Sequence, residues 1–147
     1  MTVKSLQHGL YGSLIGGVIF GAMMGLMGML PMIGAMAGAP SAAVGFAVHL
    51  VISAIIGVGF VLAVTALGRA DTAGVGAGLA YGFAWWVLGP LTLMPLFMGM
   101  GFGVNWTVSA AAAAAPSLMG HLVFGGVLGA TYHWLQTKAL VHDLATA

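Results

Sequence analysis

Two histidines, His49 and His121, occupy matching places in two halves of a chain that carries almost no charge. The segment His49-Leu50-Val51-Ile52-Ser53-Ala54-Ile55-Ile56-Gly57 is echoed by His121-Leu122-Val123-Phe124-Gly125-Gly126-Val127-Leu128-Gly129. An ionisable side chain inside a long apolar run is costly, so its presence twice asks for a chemical reason. Three reasons fit the residue types. The simplest is structural: a neutral imidazole donates to a carbonyl or hydroxyl on a neighbouring helix, worth roughly 0.6–2 kcal/mol in a membrane. Ser53, Ser117 and Thr107 are the partners this predicts.

The second is haem b, with His49 and His121 as axial ligands from facing helices and the adjacent glycines leaving room for the flat macrocycle. The same neighbourhood offers no Arg or Lys for the propionates, only Asn105, Trp106, Thr107 and Ser109. A second haem has no ligand pair, because His133 lies twelve residues after His121 whereas Val61 stands twelve after His49. The third is copper. Met23/Met27, Met32/Met36 and Met94/Met98 are each four apart, and thioether with imidazole suits Cu(I). Methionine also fills irregular apolar gaps, which is its commoner use.

The elements that position these side chains follow from composition. Of 147 residues 61% are hydrophobic and 3% charged, against about 25% charged in a soluble domain. Lys4, Arg69, Asp71, Lys138 and Asp143 are the only full charges, too few to keep so much Leu, Val, Met and Phe in water. The natural solvent is lipid. With no basic run, nucleic acid is excluded as a partner. Absence of cysteine removes disulfides, thiolate metal sites and cysteine nucleophiles together.

Four apolar runs are long enough to cross a hydrocarbon core as helices, the form lipid requires: residues 9–30, 42–67, 76–98 and 117–135. Pro31, Pro40, Gly68-Arg69-Ala70-Asp71, Pro95 and Pro116 punctuate them, and Pro90 predicts a kink inside the third. All three cations then fall on one side, which places both termini and the middle loop in the cytoplasm. A cleaved signal peptide is the rival for the first span. Its apolar stretch is longer than signal peptides use, and Tyr11-Gly12 and Met24 have counterparts in Tyr81-Gly82 and Met94.

The resulting expectation is an all-α integral membrane four-helix bundle, one transmembrane domain over residues 1–147, made of two repeated helical hairpins. The repeat is parallel, about an axis normal to the membrane. Glycines four apart (Gly12/Gly16, Gly17/Gly21/Gly25, Gly74/Gly78/Gly82, Gly125/Gly129) let helix backbones approach. His49 lies on the stripe Gly45-His49-Ser53-Gly57 and His121 on Ser117-His121-Gly125-Gly129, so both imidazoles turn toward other helices, near the outer surface.

The enzyme classes thin out on the same residues. No carboxylate lies in any span, no Ser/His/Asp set shares one depth, and no phosphate-cradling loop exists. The outer connections, residues 31–43 and 99–116, are apolar where polar chemistry is usual, which predicts cover by other membrane subunits or a second copy. The expected role is a non-catalytic accessory or structural subunit of a membrane complex. A bis-histidine haem b electron carrier is the alternative, and a copper or small-solute conduit the third.

Tyr81-Gly82, Trp85-Trp86, Met94-Pro95, Pro116-Ser117-Leu118, Gly120-His121-Leu122-Val123 and Gly125-x-Val127-Leu128-Gly129-x-x-Tyr132 together resemble a family of small four-helix membrane proteins of unknown function. Its members occur in bacteria and archaea and are sometimes labelled histidine kinases. The resemblance is clearest over residues 78–135 and implies the fold and topology, with company among respiratory components, but no catalytic residue. The chain has no room for a nucleotide-binding domain and no phosphate loop to support the kinase label.

Overall fold

A computed structural model describes residues 2–146, and every regular element in it is helical. The helices are α1 (Val3–Leu26), α2 (Leu30–Ala35), α3 (Ala42–Ala66), α4 (Val75–Leu88), α5 (Met94–Phe97), α6 (Val108–Ala113) and α7 (Ala115–Ala145), with a π-helical turn, Gly89–Leu93, joining α4 to α5. Three stretches are long and apolar enough to cross a membrane: Val3–Leu26, Ala42–Ala66 and Val75–Phe97. This supports a transmembrane protein. α7 is not among them, since Ser117, His121, Thr131, Tyr132 and His133 dilute its apolar content.

Local chemistry sets the ends. Thr2 and Ser5 form a reciprocal capping box that starts α1, Ser41 caps α3, and Thr107 caps α6. Three C-termini share one device. Gly28, Gly68 and Gly99 take positive φ just past α1, α3 and α5, and the next amide reaches back to Met24 O, Val64 O and Pro95 O, respectively. That is the glycine-terminated closure, open to glycine because a left-handed residue meets no Cβ penalty. It ends α1 at Leu26, earlier than the 9–30 span predicts, and Pro31 then opens α2 at a position where its missing N–H does no harm.

The kink expected at Pro90 is present as the π turn. Proline withdraws one amide from the ladder, and within the turn the Thr92 hydroxyl donates to Val87 O at 2.8 Å. The fourth predicted span, 117–135, is the middle of a longer helix that runs to Ala145. His142 therefore sits in the last turn of that helix.

Packing follows the glycines. α1 lies antiparallel to α3, with Gly9 against Gly57 and Val61, Gly17 against Ser53, and Gly21 against Phe46 and His49. It also lies antiparallel to α7, where a Cβ at Gly12 or Gly16 would stand 2.9 Å from Leu128 O or Phe124 O. α4 crosses α7 backbone to backbone. A Cβ on Gly78 would fall on Gly125 O, one on Gly125 would fall on Gly78 O, and one on Gly129 would fall on Gly74 O. α3 and α4 scarcely touch, so the helices stand in the order α3, α1, α7, α4. The core runs from Phe60, Val61, Leu128 and Tyr132, nearer the charged end, to Phe20, Met24, Leu30 and Phe124 at the other. At the charged end Lys4 meets Asp143 at 3.1 Å in an exposed ion pair.

The crossing of α4 on α7 makes a direct prediction. Gly125→Ala should lower stability by about 1–3 kcal/mol through overpacking, read as a drop in thermal midpoint in detergent. Gly76→Ala, which meets nothing within 4 Å, should leave the midpoint unchanged or slightly raised. Equal effects at the two positions would mean that α4 and α7 do not cross on these glycines.

Candidate functional site

The stripe Gly45-His49-Ser53-Gly57 is buried along its whole length, and it turns toward α1 as its spacing predicts. Gly17 and Gly21 lack side chains there, so the α1 backbone comes within reach of the imidazole. His49 Nε2 donates to Gly17 O at 3.0 Å, an interhelical bond. The Ser53 hydroxyl, an expected partner of the ring, instead donates to His49 O at 2.8 Å. His121 behaves differently. Its Nδ1 donates to Ser117 O at 2.7 Å, one turn back on its own helix, with Ser117 Oγ at 3.3 Å. Thr107, the third expected partner, is engaged at the start of α6.

These acceptors fix the tautomers. A carbonyl oxygen can only accept, so a neutral His49 carries its proton on Nε2 and a neutral His121 on Nδ1. His49 Nδ1 and His121 Nε2 are left as bare lone pairs, and among the described residues no protein donor reaches either. Phe20 links the two rings, edge-on to His49 at 5.3 Å and to His121 at 4.8 Å between centroids. It sits on α1, between the helices that carry the histidines, and a Cβ on Gly120 would collide with its ring.

Both imidazoles line a chamber of about 340 Å³ in the half of the molecule away from the charges. α2 and its two caps roof it with Met32, Met29 and Met36; Trp85 and the π turn form one side, and Phe124 closes the α7 wall. Met24 and Met94 complete five methionines on the lining, whereas Met23, Met27 and Met98 lie elsewhere. Of the three methionine pairs read from spacing, one, Met32/Met36, contributes both members. Among the described residues no group of three or more His, Asp or Glu is placed to hold a metal ion.

A bis-imidazole haem needs one lone pair from each ring aimed at the iron from opposite faces of the macrocycle. Here Phe20 contacts both rings at the place a macrocycle would take, and the nearest cations, Lys4, Arg69 and Lys138, belong to the opposite end. Seating haem requires Phe20 to swing out of the core and leaves the propionates without a cation.

The remaining histidines stay apart from the chamber. His8 Nδ1 lies 2.6 Å from Gln136 Oε1, and His133 and His142 are exposed. The chamber's frame is held by bonds that spacing alone did not single out. Tyr81 donates to Ile56 O at 3.0 Å, the tie between α4 and α3. Trp86 Nε1 donates to Ala114 O at 3.1 Å, and Trp106 Nε1 to Thr92 Oγ1 at 3.1 Å, which fasten the outer corner to the π turn. No family model, curated protein or solved structure matches the chain.

The His49 bond is testable as a structural contact. His49→Phe should destabilise the protein by roughly 0.6–2 kcal/mol, the range of interhelical hydrogen bonds in membranes. His49→Gln, whose amide can still donate, should recover part of that loss in the same thermal measurement. An unchanged midpoint for His49→Phe would show that the bond to Gly17 contributes nothing.

Proposed function

We propose that the chain is a four-span protein of the cytoplasmic membrane, two repeated hairpins with both termini inside, that serves without catalysis as an accessory subunit of a larger membrane assembly. Support for the fourth span comes from packing. α7 runs antiparallel to both α1 and α4 along their glycine faces and, at 31 residues, is longer than either. Its small and polar residues face protein, so it needs less apolar side chain than a helix surrounded by lipid. Support for the orientation is the gathering of Lys4, Arg69 and Lys138 at one end.

The subunit role rests on one observation. From Phe97 to Val108 the chain exposes Phe97, Met98, Met100, Phe102, Trp106 and Val108. Much of that segment is irregular backbone turned by Gly99, Gly101 and Gly103, all at positive φ. Water disfavours this side-chain surface, while hydrocarbon disfavours the unpaired amides and carbonyls beneath it. A protein neighbour satisfies both. Trp106 marks the headgroup depth at which that neighbour would be met.

Two measurements check this reading. The chain has no cysteine, so single cysteines report their side cleanly. Ala37→Cys and Val104→Cys should react with an impermeant maleimide from outside the cell, and Ala70→Cys and Ala145→Cys only after the membrane is opened. Labelling of Ala145→Cys from outside would remove the fourth span. A photo-crosslinking side chain at Phe102 should give one recurrent protein adduct, whereas the same group at exposed Ile55 on α3 should give lipid adducts. Lipid adducts alone from Phe102 would refute the subunit role, and an adduct of twice the chain's mass would make the partner a second copy.

A further inference from the structure

The chamber is a consequence of how the helices are shared out. α1 packs closely on α7, but α3 and α4 meet only around Tyr81, which bonds Ile56 O and stacks on Phe60. Beyond that point the π turn and α3 line opposite parts of one chamber, with Met32 and Ile33 of α2 also on its lining. Below, the rings of Phe60, Tyr81 and Tyr132 stack edge to edge at 5.3 and 5.5 Å, with Phe60 and Tyr132 fully buried. The chamber therefore ends blind at mid-depth. This is the shape of a binding site and not of a conduit.

Its chemistry is asymmetric. The wall is thioether and aromatic, and both histidines have their N–H engaged by carbonyls. What remains are two bare imidazole lone pairs, His121 Nε2 and His49 Nδ1, each an acceptor without a protein donor. An acceptor that lines a cavity without a protein donor is available to a ligand that brings one. Thioethers and aromatic edges favour an aromatic body. Largely apolar pockets with a few convergent polar groups are the usual form of small-molecule sites. The exposed Val51 and Ile55 on the far face of α3 mark a lipid-facing helix, so a ligand of this kind is one that dissolves in the bilayer.

We propose that this chamber binds a lipid-soluble phenol, its ring held among Phe20, Trp85 and the methionines, its hydroxyl donating to His121 Nε2; a second hydroxyl, as in a hydroquinone, would reach His49 Nδ1. The subunit role rests on the exposed loop after α5, which shares only Phe97 with the chamber. One position makes the proposal sharp. Gly89, the first residue of the π turn, faces the free nitrogen: a Cβ there would stand 3.6 Å from His121 Nε2, an ordinary contact without a clash. Gly89→Ala should therefore keep the fold while placing a methyl over the lone pair.

The experiment uses the purified full chain in nanodiscs with 4-nonylphenol and its methyl ether, 4-nonylanisole, which differs in having no donor. Binding is followed by the ¹⁵N shifts of labelled histidine, because a lone pair that accepts a hydrogen bond moves in a characteristic direction. The phenol should bind about three- to tenfold tighter than the ether, the size of one hydrogen bond to a buried acceptor. A nonyl hydroquinone should exceed the phenol and its quinone should fall to the ether's level. Gly89→Ala and His121→Phe should abolish the difference between phenol and ether, with Gly89→Ala retaining the wild-type thermal midpoint. Equal affinity for phenol and ether overturns the proposal, as does a preference that survives Gly89→Ala. Cu(I), supplied as its acetonitrile complex, is the competing occupant. One equivalent bound through both imidazoles, blocking the phenol at submicromolar concentration, would assign the chamber to a soft metal ion instead.

Discussion

The approach of helix backbones on glycine is the constraint from which the rest of this structure follows. In lipid, burying a leucine against another helix gains little over burying it in acyl chains, so association depends on close van der Waals contact and on polar groups that find partners. α7 meets α4 with Gly125 and Gly129 set against Gly78 and Gly74, and meets α1 with Phe124 and Leu128 laid over Gly16 and Gly12. Backbones brought this near put carbonyl oxygens within reach of side chains on the neighbouring helix. The bond from His49 to Gly17 O exists because residue 17 has no side chain to keep α3 away. Packing and polar chemistry are thus one feature. A side chain at Gly17 would disturb the helix contact and the imidazole together.

Much of this was legible beforehand, and the reason is periodicity. Residues four apart share a helix face, so Gly45-His49-Ser53-Gly57 had to be an inward stripe once α3 was a helix, and it is buried throughout. Proline chemistry was equally local, and Pro90 produced a distortion where the missing amide required one. The partners of the histidines were not legible. Spacing points to side chains with names, such as Ser53 and Thr107, whereas the groups that accept are the backbone carbonyls of Gly17 and Ser117, which every residue possesses. Phe20 escaped for a related reason. A phenylalanine in an apolar helix carries no signal of its own, and its position between two imidazoles follows only from the order α3, α1, α7.

Span boundaries slipped where tertiary structure took over from composition. The first apolar run continues through Leu30, but Gly28 closes α1 and the chain turns to lay α2 across the bundle as a roof. At the other end α7 continues ten residues past Leu135, to Ala145, where Lys4 and Asp143 meet. Such an exposed ion pair is worth little, so propensity and the neighbouring contact of His8 with Gln136 do more to hold that last stretch in place.

The two histidines looked equivalent in the sequence, and the packing makes them different. His49 donates across to another helix, which ties its ring to the contact between α1 and α3. His121 donates one turn back along its own helix, so its ring holds no two helices together. An imidazole needed only to satisfy itself in this way is dispensable for packing, since an apolar side chain at 121 would leave Ser117 O no worse than any other carbonyl of a helix. Its cost is then unexplained by structure alone. The difference arises because the close contact of α1 with α7 has no counterpart between α3 and α4. The contact of α1 with α3 gives His49 a structural partner, while the open space between α3 and α4 leaves His121 Nε2 facing an apolar chamber across from Gly89, where only something that enters the chamber can use it.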